Sequence, residues 1–146
     1  MVRNSRHILF VDDNPGDLEL ACEALIESGK GTQLHTASDG VEALEFLRKR
    51  GKYEGAPSPD VVLLDLNMPR KDGIETLKEI RSDEALQFLN VVIFSSSTAS
   101  LDRNMASLYH ANAYVIKPLR LEDFMQTIAR IEADWCTSEP TSARRA

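Results

Sequence analysis

The chain has 146 residues, 42% hydrophobic and 27% charged, which suits one soluble domain with one core. Its formal net charge of −6 argues against nucleic-acid binding through a broad basic face, although a local basic patch stays open. No apolar run approaches the roughly 20 residues of a membrane helix. The N-terminal "MVRNSRHILFVDD" turns acidic too early for a secretory signal, so no membrane contact is expected and the chain is placed in the cytoplasm.

Residues 7–12, "HILFVD", read as a short buried strand. Asn14 and Pro15 then supply a cap and a first-turn proline for a helix with Leu18, Cys22, Leu25 and Ile26 at helical spacing, ended by Gly29 and Gly31. "QLHTA" (33–37) is a weak strand, and 39–50 a helix with Val41, Leu44 and Leu47 on one face. The Gly- and Pro-rich stretch 51–59 is a loop. "DVVLLD" (60–65) is a third strand, followed by an Asp72-Gly73 turn and a short helix marked by Ile74, Leu77 and Ile80. "VVIFS" (91–95) is the fourth strand. Its helix, roughly 100–111, shows a thin stripe of Leu101, Met105 and Leu108. "AYVI" (113–116) is the fifth strand, stopped by Lys117-Pro118. Leu121, Phe124, Met125, Ile128, Ile131 and Trp135 repeat at three or four residues and give a strong last helix. Residues 1–135 thus form one domain, and 136–146, "CTSEPTSARRA", have little to bury and are expected to be disordered.

Cys22 and Cys136 make no disulfide framework, redox pair or zinc site. Cys22 reads as a small buried hydrophobe and Cys136 as a tail residue. His7, His35 and His110 show no ligand spacing and receive no role.

Five apolar strands, each followed by a helix, indicate a parallel sheet covered on both faces. Five units are too few for an eight-stranded barrel. The fold class is therefore α/β, a doubly wound sheet in the order 2-1-3-4-5, whose ligand site lies at the carboxyl ends of strands one and three. Strand one ends in Asp12-Asp13 and strand three in Asp65; strands four and five bring Ser95 and Lys117 to the same edge. Three close carboxylates raise each other's pKa. A hard cation with oxygen ligands resolves that conflict, and Mg²⁺ is its natural form. Mg²⁺, a lysine and a hydroxyl around one carboxylate suit an incoming phosphoryl group, with the aspartate as nucleophile. Each piece alone has a bland reading as cap or turn; four in order, each ending a different strand, do not.

Over residues 6–135 the segments "LFVDDNP", "VVLLDLNMPRKDG", "VVIFSSS" and "AYVIKP" resemble a response-regulator receiver domain, of flavodoxin-like fold with the same 2-1-3-4-5 order. The resemblance implies that Asp65 accepts a phosphoryl group from a histidine kinase. It implies that Asp13, Asp65 and the carbonyl of Asn67 hold Mg²⁺, with Asp12 acting through water, and that Lys117 pairs with Asp65 and then with the phosphoryl oxygens. Ser95 would be the switch hydroxyl, in place of the commoner threonine, with Tyr114 as the aromatic that changes rotamer with it. Asn67 and Ser97 would tune dephosphorylation, and the Lys117–Pro118 bond would be cis. The loop before strand three and the ending "IEADW" resemble single-domain regulators that partner phytochrome-type kinases. With no output domain expected after Trp135, the signal would leave by protein contact through the fourth helix, fifth strand and fifth helix. A homodimer on that surface is predicted, its downstream partner unspecified. Phe124 is expected inside the monomer, whereas Trp135 is open between the monomer core and a partner subunit.

A haloacid-dehalogenase-type phosphatase, a true enzyme, needs a second aspartate two residues after its nucleophile; here those positions hold Asn67 and Asn14. A flavodoxin-like cofactor module needs a phosphate cradle after strand one, where "DDNPGD" would repel an anion. A phosphorylation-independent interaction module would lack part of the chemistry, and nothing is missing. The chain is therefore read as a signalling phosphoacceptor rather than an enzyme.

Overall fold

The computed structural model describes residues 6–136. Its spine is a five-stranded parallel sheet of order β2-β1-β3-β4-β5, with β1 His7–Val11, β2 Gln33–Ala37, β3 Val61–Leu64, β4 Val91–Ser95 and β5 Ala113–Ile116. This is the expected doubly wound order. Alternation along the strands splits the core in two. Ile8, Phe10, Leu63, Val92 and Phe94 face α1 (Pro15–Ser28) and α5 (Leu121–Trp135), where Phe94 sits between Phe10 and Phe124 at ring separations of 5.7 and 5.4 Å. Leu9, Val11, Val62, Leu64 and Ile93 face α2 (Gly40–Leu47), α3 (Gly73–Ser82) and α4 (Ser100–Leu108).

The helices start and stop for local reasons. Asn14 caps α1 through bonds from the Gly16 and Asp17 N–H groups, and Gly29 closes it in the left-handed region at φ 68°. The second helix ends at Leu47 rather than 50, because Lys49 enters the left-handed region at φ 58°. Asp72 and Glu75 form a reciprocal capping box at the start of α3.

Four sequence expectations fail in packing. On α1, Cys22 and Ile26 are exposed, and the buried stripe is Ala21, Ala24 and Leu25; small alanines set this helix closely against α5. On α4, Leu101 and Leu108 are 69% and 62% exposed and Met105 is half-buried, leaving Ala106 as its buried anchor. Leu121 is exposed, so the inward stripe of α5 begins at Phe124, buried as expected. Cys136 is buried against the α1–α5 side, and Trp135 packs there half-buried, within the monomer. The expectation of disorder for the tail otherwise lies outside the described residues.

Two charged side chains, one buried and one half-buried, have neutral partners. Glu132 is fully buried and accepts from the Thr32 hydroxyl. Arg81, at the end of α3, gives five hydrogen bonds near the amino ends of β4 and β5: two to the His110 carbonyl (3.1 and 2.9 Å), one each to the carbonyls of Gln87 (2.9 Å) and Leu89 (2.8 Å), and one to Asn112 Oδ1 (2.9 Å). Burial pushes the Arg81 guanidinium below its ordinary value.

Candidate functional site

The backbone ladder carries the polar residues to the carboxyl edge of the sheet. Asp12 N donates to the Ala37 carbonyl (2.9 Å), Asp65 N to that of Val11 (3.0 Å), and Lys117 N to that of Ser95 (2.9 Å). Because Val11 pairs with Leu64, Asp12 and Asp65 emerge side by side at the switch in strand order. Asp13, next along, is exposed. One oxygen from each of Asp12, Asp13 and Asp65 lies within 4.8 Å of the others, a set able to hold a metal ion. Hard oxygen donors at this spacing fit a divalent cation of the Mg²⁺ or Mn²⁺ kind.

Lys117 Nζ reaches into this cluster, 2.6 Å from Asp12 Oδ2, 2.9 Å from Asp17 Oδ2 and 3.5 Å from Asp65 Oδ2. Burial works to lower the Lys117 ammonium, but hydrogen bonds to Asp12 and Asp17 outweigh it and hold the group above its ordinary value. Burial raises Asp12, partly offset by Lys117 and the Asn14 N–H. Burial also raises Asp65, partly offset by Lys117 and by the Leu66 N–H, which donates to Asp65 Oδ1 at 2.8 Å. The cluster therefore holds more carboxylate than its one ammonium neutralises, which is what a cation would relieve.

The β3–α3 loop that shapes the site is fixed by close backbone approach. A Cβ at Gly73 would collide with the Asp65 carbonyl oxygen and come 2.8 Å from Leu66 Cα, and Gly73 N donates to the Leu66 carbonyl (2.9 Å). Arg70, in the left-handed region at φ 63°, grips Asp39 with two bonds of 2.6 and 3.1 Å, tying the loop to the start of α2. Asn67 is exposed in this loop.

Ser95 is fully buried, and its Oγ accepts from Ser97 N at 3.2 Å. The Ser97 carbonyl accepts from the Tyr114 hydroxyl at 2.9 Å, and the Ser97 hydroxyl donates to Asp102 in the first turn of α4. Arg103 lies over the Tyr114 ring, 5.0 Å from its centroid. Thus Ser95, Ser97 and Tyr114 form one connected set leading from the site to α4 and β5.

Asp12, Asp13, Asp65 and Lys117 come together, and Ser95 ends β4 at the same edge of the sheet. One expectation is corrected: no peptide bond among the described residues is cis, so Lys117–Pro118 is trans, the lower-energy form of an X–Pro bond. Two contributors escape the sequence reading. Asp17 looks like an ordinary acidic residue of a helix first turn, and Asp39 like a cap; the first partners Lys117 and the second Arg70.

Fold and edge together define a class: a doubly wound domain with an acidic, lysine-bearing site at its switch point. A family model for the response regulator receiver domain matches residues 8–129, and the chain belongs to that family. It is 37% identical over 128 residues to the response regulator Rcp1 of Synechocystis sp., covering 88% of this chain and 87% of that protein. The phosphorylated cyanobacterial phytochrome response regulator RcpA superposes with a TM-score of 0.86 at 39% identity, over 90% of this chain and 94% of that one. The Mn²⁺-bound form of Rcp1 gives 0.84 at 35%, over 93% and 99%. Among the described residues, no helix is long and apolar enough to cross a membrane.

Proposed function

We propose that this response regulator accepts a phosphoryl group on Asp65 from a sensor histidine kinase of the phytochrome type, and signals by changed protein contacts. The observation that carries the reading is the placement of Lys117 and two further carboxylates around a buried Asp65 at the switch point. An Asp65 oxygen attacks phosphorus in line, the bond from phosphorus to the donor nitrogen (or to the oxygen of a small acyl phosphate) breaks, and its electron pair leaves with the donor. Asp13, Asp65 and the Asn67 carbonyl would hold Mg²⁺, with Asp12 acting through water; when bound, the ion neutralises charge on the phosphoryl oxygens. Lys117 would pair with the phosphoryl oxygens. Asn67 and Ser97 would tune dephosphorylation, the small Ser97 side chain shielding the phosphoryl group and positioning water poorly.

Signal output follows the connected set. A phosphoryl oxygen drawing in the Ser95 hydroxyl would disturb the bond from Ser97 N, and with it Tyr114 and the Asp102 end of α4. The face so altered already exposes Leu101, Leu108, Leu119 and Leu121, which favours a homodimer through α4, β5 and α5. The domain spans residues 1–135, acts in the cytoplasm and turns over no substrate beyond its own phosphoryl group.

Intact mass after incubation with Mg²⁺ and acetyl phosphate tests the reading. The wild type gains one phosphoryl group, and chelator or Asp65→Asn abolishes the gain. A gain that persists in Asp65→Asn would overturn it. Sedimentation with and without phosphorylation tests the dimer, which a monomer at high concentration in both states would remove.

A further inference from the structure

Lys117 has three N–H donors, and two are engaged away from the nucleophile. Its Nζ is within hydrogen-bond reach of Asp12 Oδ2 (2.6 Å) and Asp17 Oδ2 (2.9 Å), while Asp65 Oδ2 stands at 3.5 Å. Asp12 is fixed in place by its backbone bond to Ala37 and by the Asn14 N–H, which donates to its Oδ1 at 2.9 Å.

Asp17 is different. It occupies the third position of α1, where an acidic side chain commonly folds back onto the N–H of the capping residue. Here that N–H, of Asn14, is already taken by Asp12. The Asp17 carboxylate is thereby left to reach across to β5's end and bond Lys117, with 20% of its side chain exposed. It lies outside the trio of oxygens grouped for a cation, so its part is played on the ammonium.

We propose that Asp17 is a positioning residue for phosphoryl transfer: it holds the Lys117 ammonium back from Asp65, and sets how readily Lys117 passes to the incoming phosphoryl group. The proposal rests on Asp65 being the phosphoacceptor. Two effects of Asp17 share a sign. Its carboxylate competes with phosphoryl oxygens for a lysine N–H, and its charge repels an anionic donor. Removing that charge frees a donor and lessens the repulsion, so transfer quickens. A helix-capping role alone predicts no such gain, because losing a first-turn carboxylate only weakens α1.

The test is the rate of phosphoryl gain from acetyl phosphate at saturating Mg²⁺, followed by intact mass, for the wild type, Asp17→Asn, Asp17→Ser and Asp17→Glu. Asp17→Asn and Asp17→Ser are expected to react about fivefold faster, a factor suited to one nearby charge in a partly wet site, and Asp17→Glu to return toward the wild-type rate. Thermal melting of each variant reports the separate cost to α1. A wild type that gains phosphate while both charge-removing variants match or trail it overturns this proposal alone. A wild type that gains none under any condition overturns the Asp65 reading and this proposal with it.

Discussion

Two cations sit at opposite edges of the sheet, and their surroundings differ. Arg81, at the amino edge, directs five N–H bonds at carbonyls and an amide oxygen, and no carboxylate pairs with it among the described residues. Lys117, at the carboxyl edge, faces Asp12, Asp17 and Asp65 within 3.5 Å. The Arg81 cluster is saturated with neutral acceptors, so any exchange of partners loses a bond. The Lys117 cluster carries surplus negative charge, so its bonds can pass to a new partner at little cost. A fixed cation holds β4, β5 and α3 in register; an over-subscribed one is ready to receive an anion.

The largest effect expected from breaking this contrast is chemical. Lys117→Ala should slow phosphoryl gain from acetyl phosphate by about a hundredfold or more, since a fixed charge on a transferring group is worth that much. Intact-mass time courses would show it. Arg81→Leu should do the reverse, costing on the order of 1 kcal/mol in urea unfolding through the lost bonds to carbonyls that water can partly replace, while folded protein still gains its phosphoryl group. Gly73→Ala crosses the two categories. Its Cβ strikes the backbone beside Asp65, so both the unfolding midpoint and the phosphorylation rate should fall.

Asp65→Asn sharpens the charge argument. Burial raises Asp65, so in metal-free protein the carboxyl favours folding while protonated, and that contribution is lost as pH rises through its folded value. Asparagine has no such loss. Without Mg²⁺ at pH 7, the variant should be more stable than wild type by on the order of 1 kcal/mol, a gap that closes toward acid; adding Mg²⁺ should stabilise wild type more. The smallest effect lies away from both cations. His7 Nδ1 and His35 Nε2 are 3.0 Å apart, and burial followed by the charge of His7 lowers His35. Stability should be full above about pH 6.5 and decline as pH falls through the lowered value. Replacing His35 with Leu should flatten that decline, as thermal melts against pH would report.

Much of this was legible in the chain. Asp12, Asp65, Ser95 and Lys117 each close an apolar run, so strand order alone brings them together. The rest was hidden by physical ambiguity. Helical spacing cannot tell adjacent stripes apart, so Cys22 and Ile26 stood in for Ala21 and Ala24. Leu101 and Leu108 look like core, yet Ala106 is what α4 buries. Glu132 sits in a polar stretch and is nevertheless fully enclosed, because a hydroxyl from Thr32 meets it across a hundred residues of chain. Asp17 and Arg81 look like charges that suit helix ends, and only tertiary structure supplies their partners.

The most direct measurement is to phosphorylate the chain with acetyl phosphate and Mg²⁺, reduce it with borohydride and map the product by tandem mass spectrometry. An aspartyl phosphate becomes homoserine under this treatment, marking its position in the chain. Homoserine is expected at residue 65 alone. Conversion at 12, 13 or 17 with Asp65 intact would contradict it.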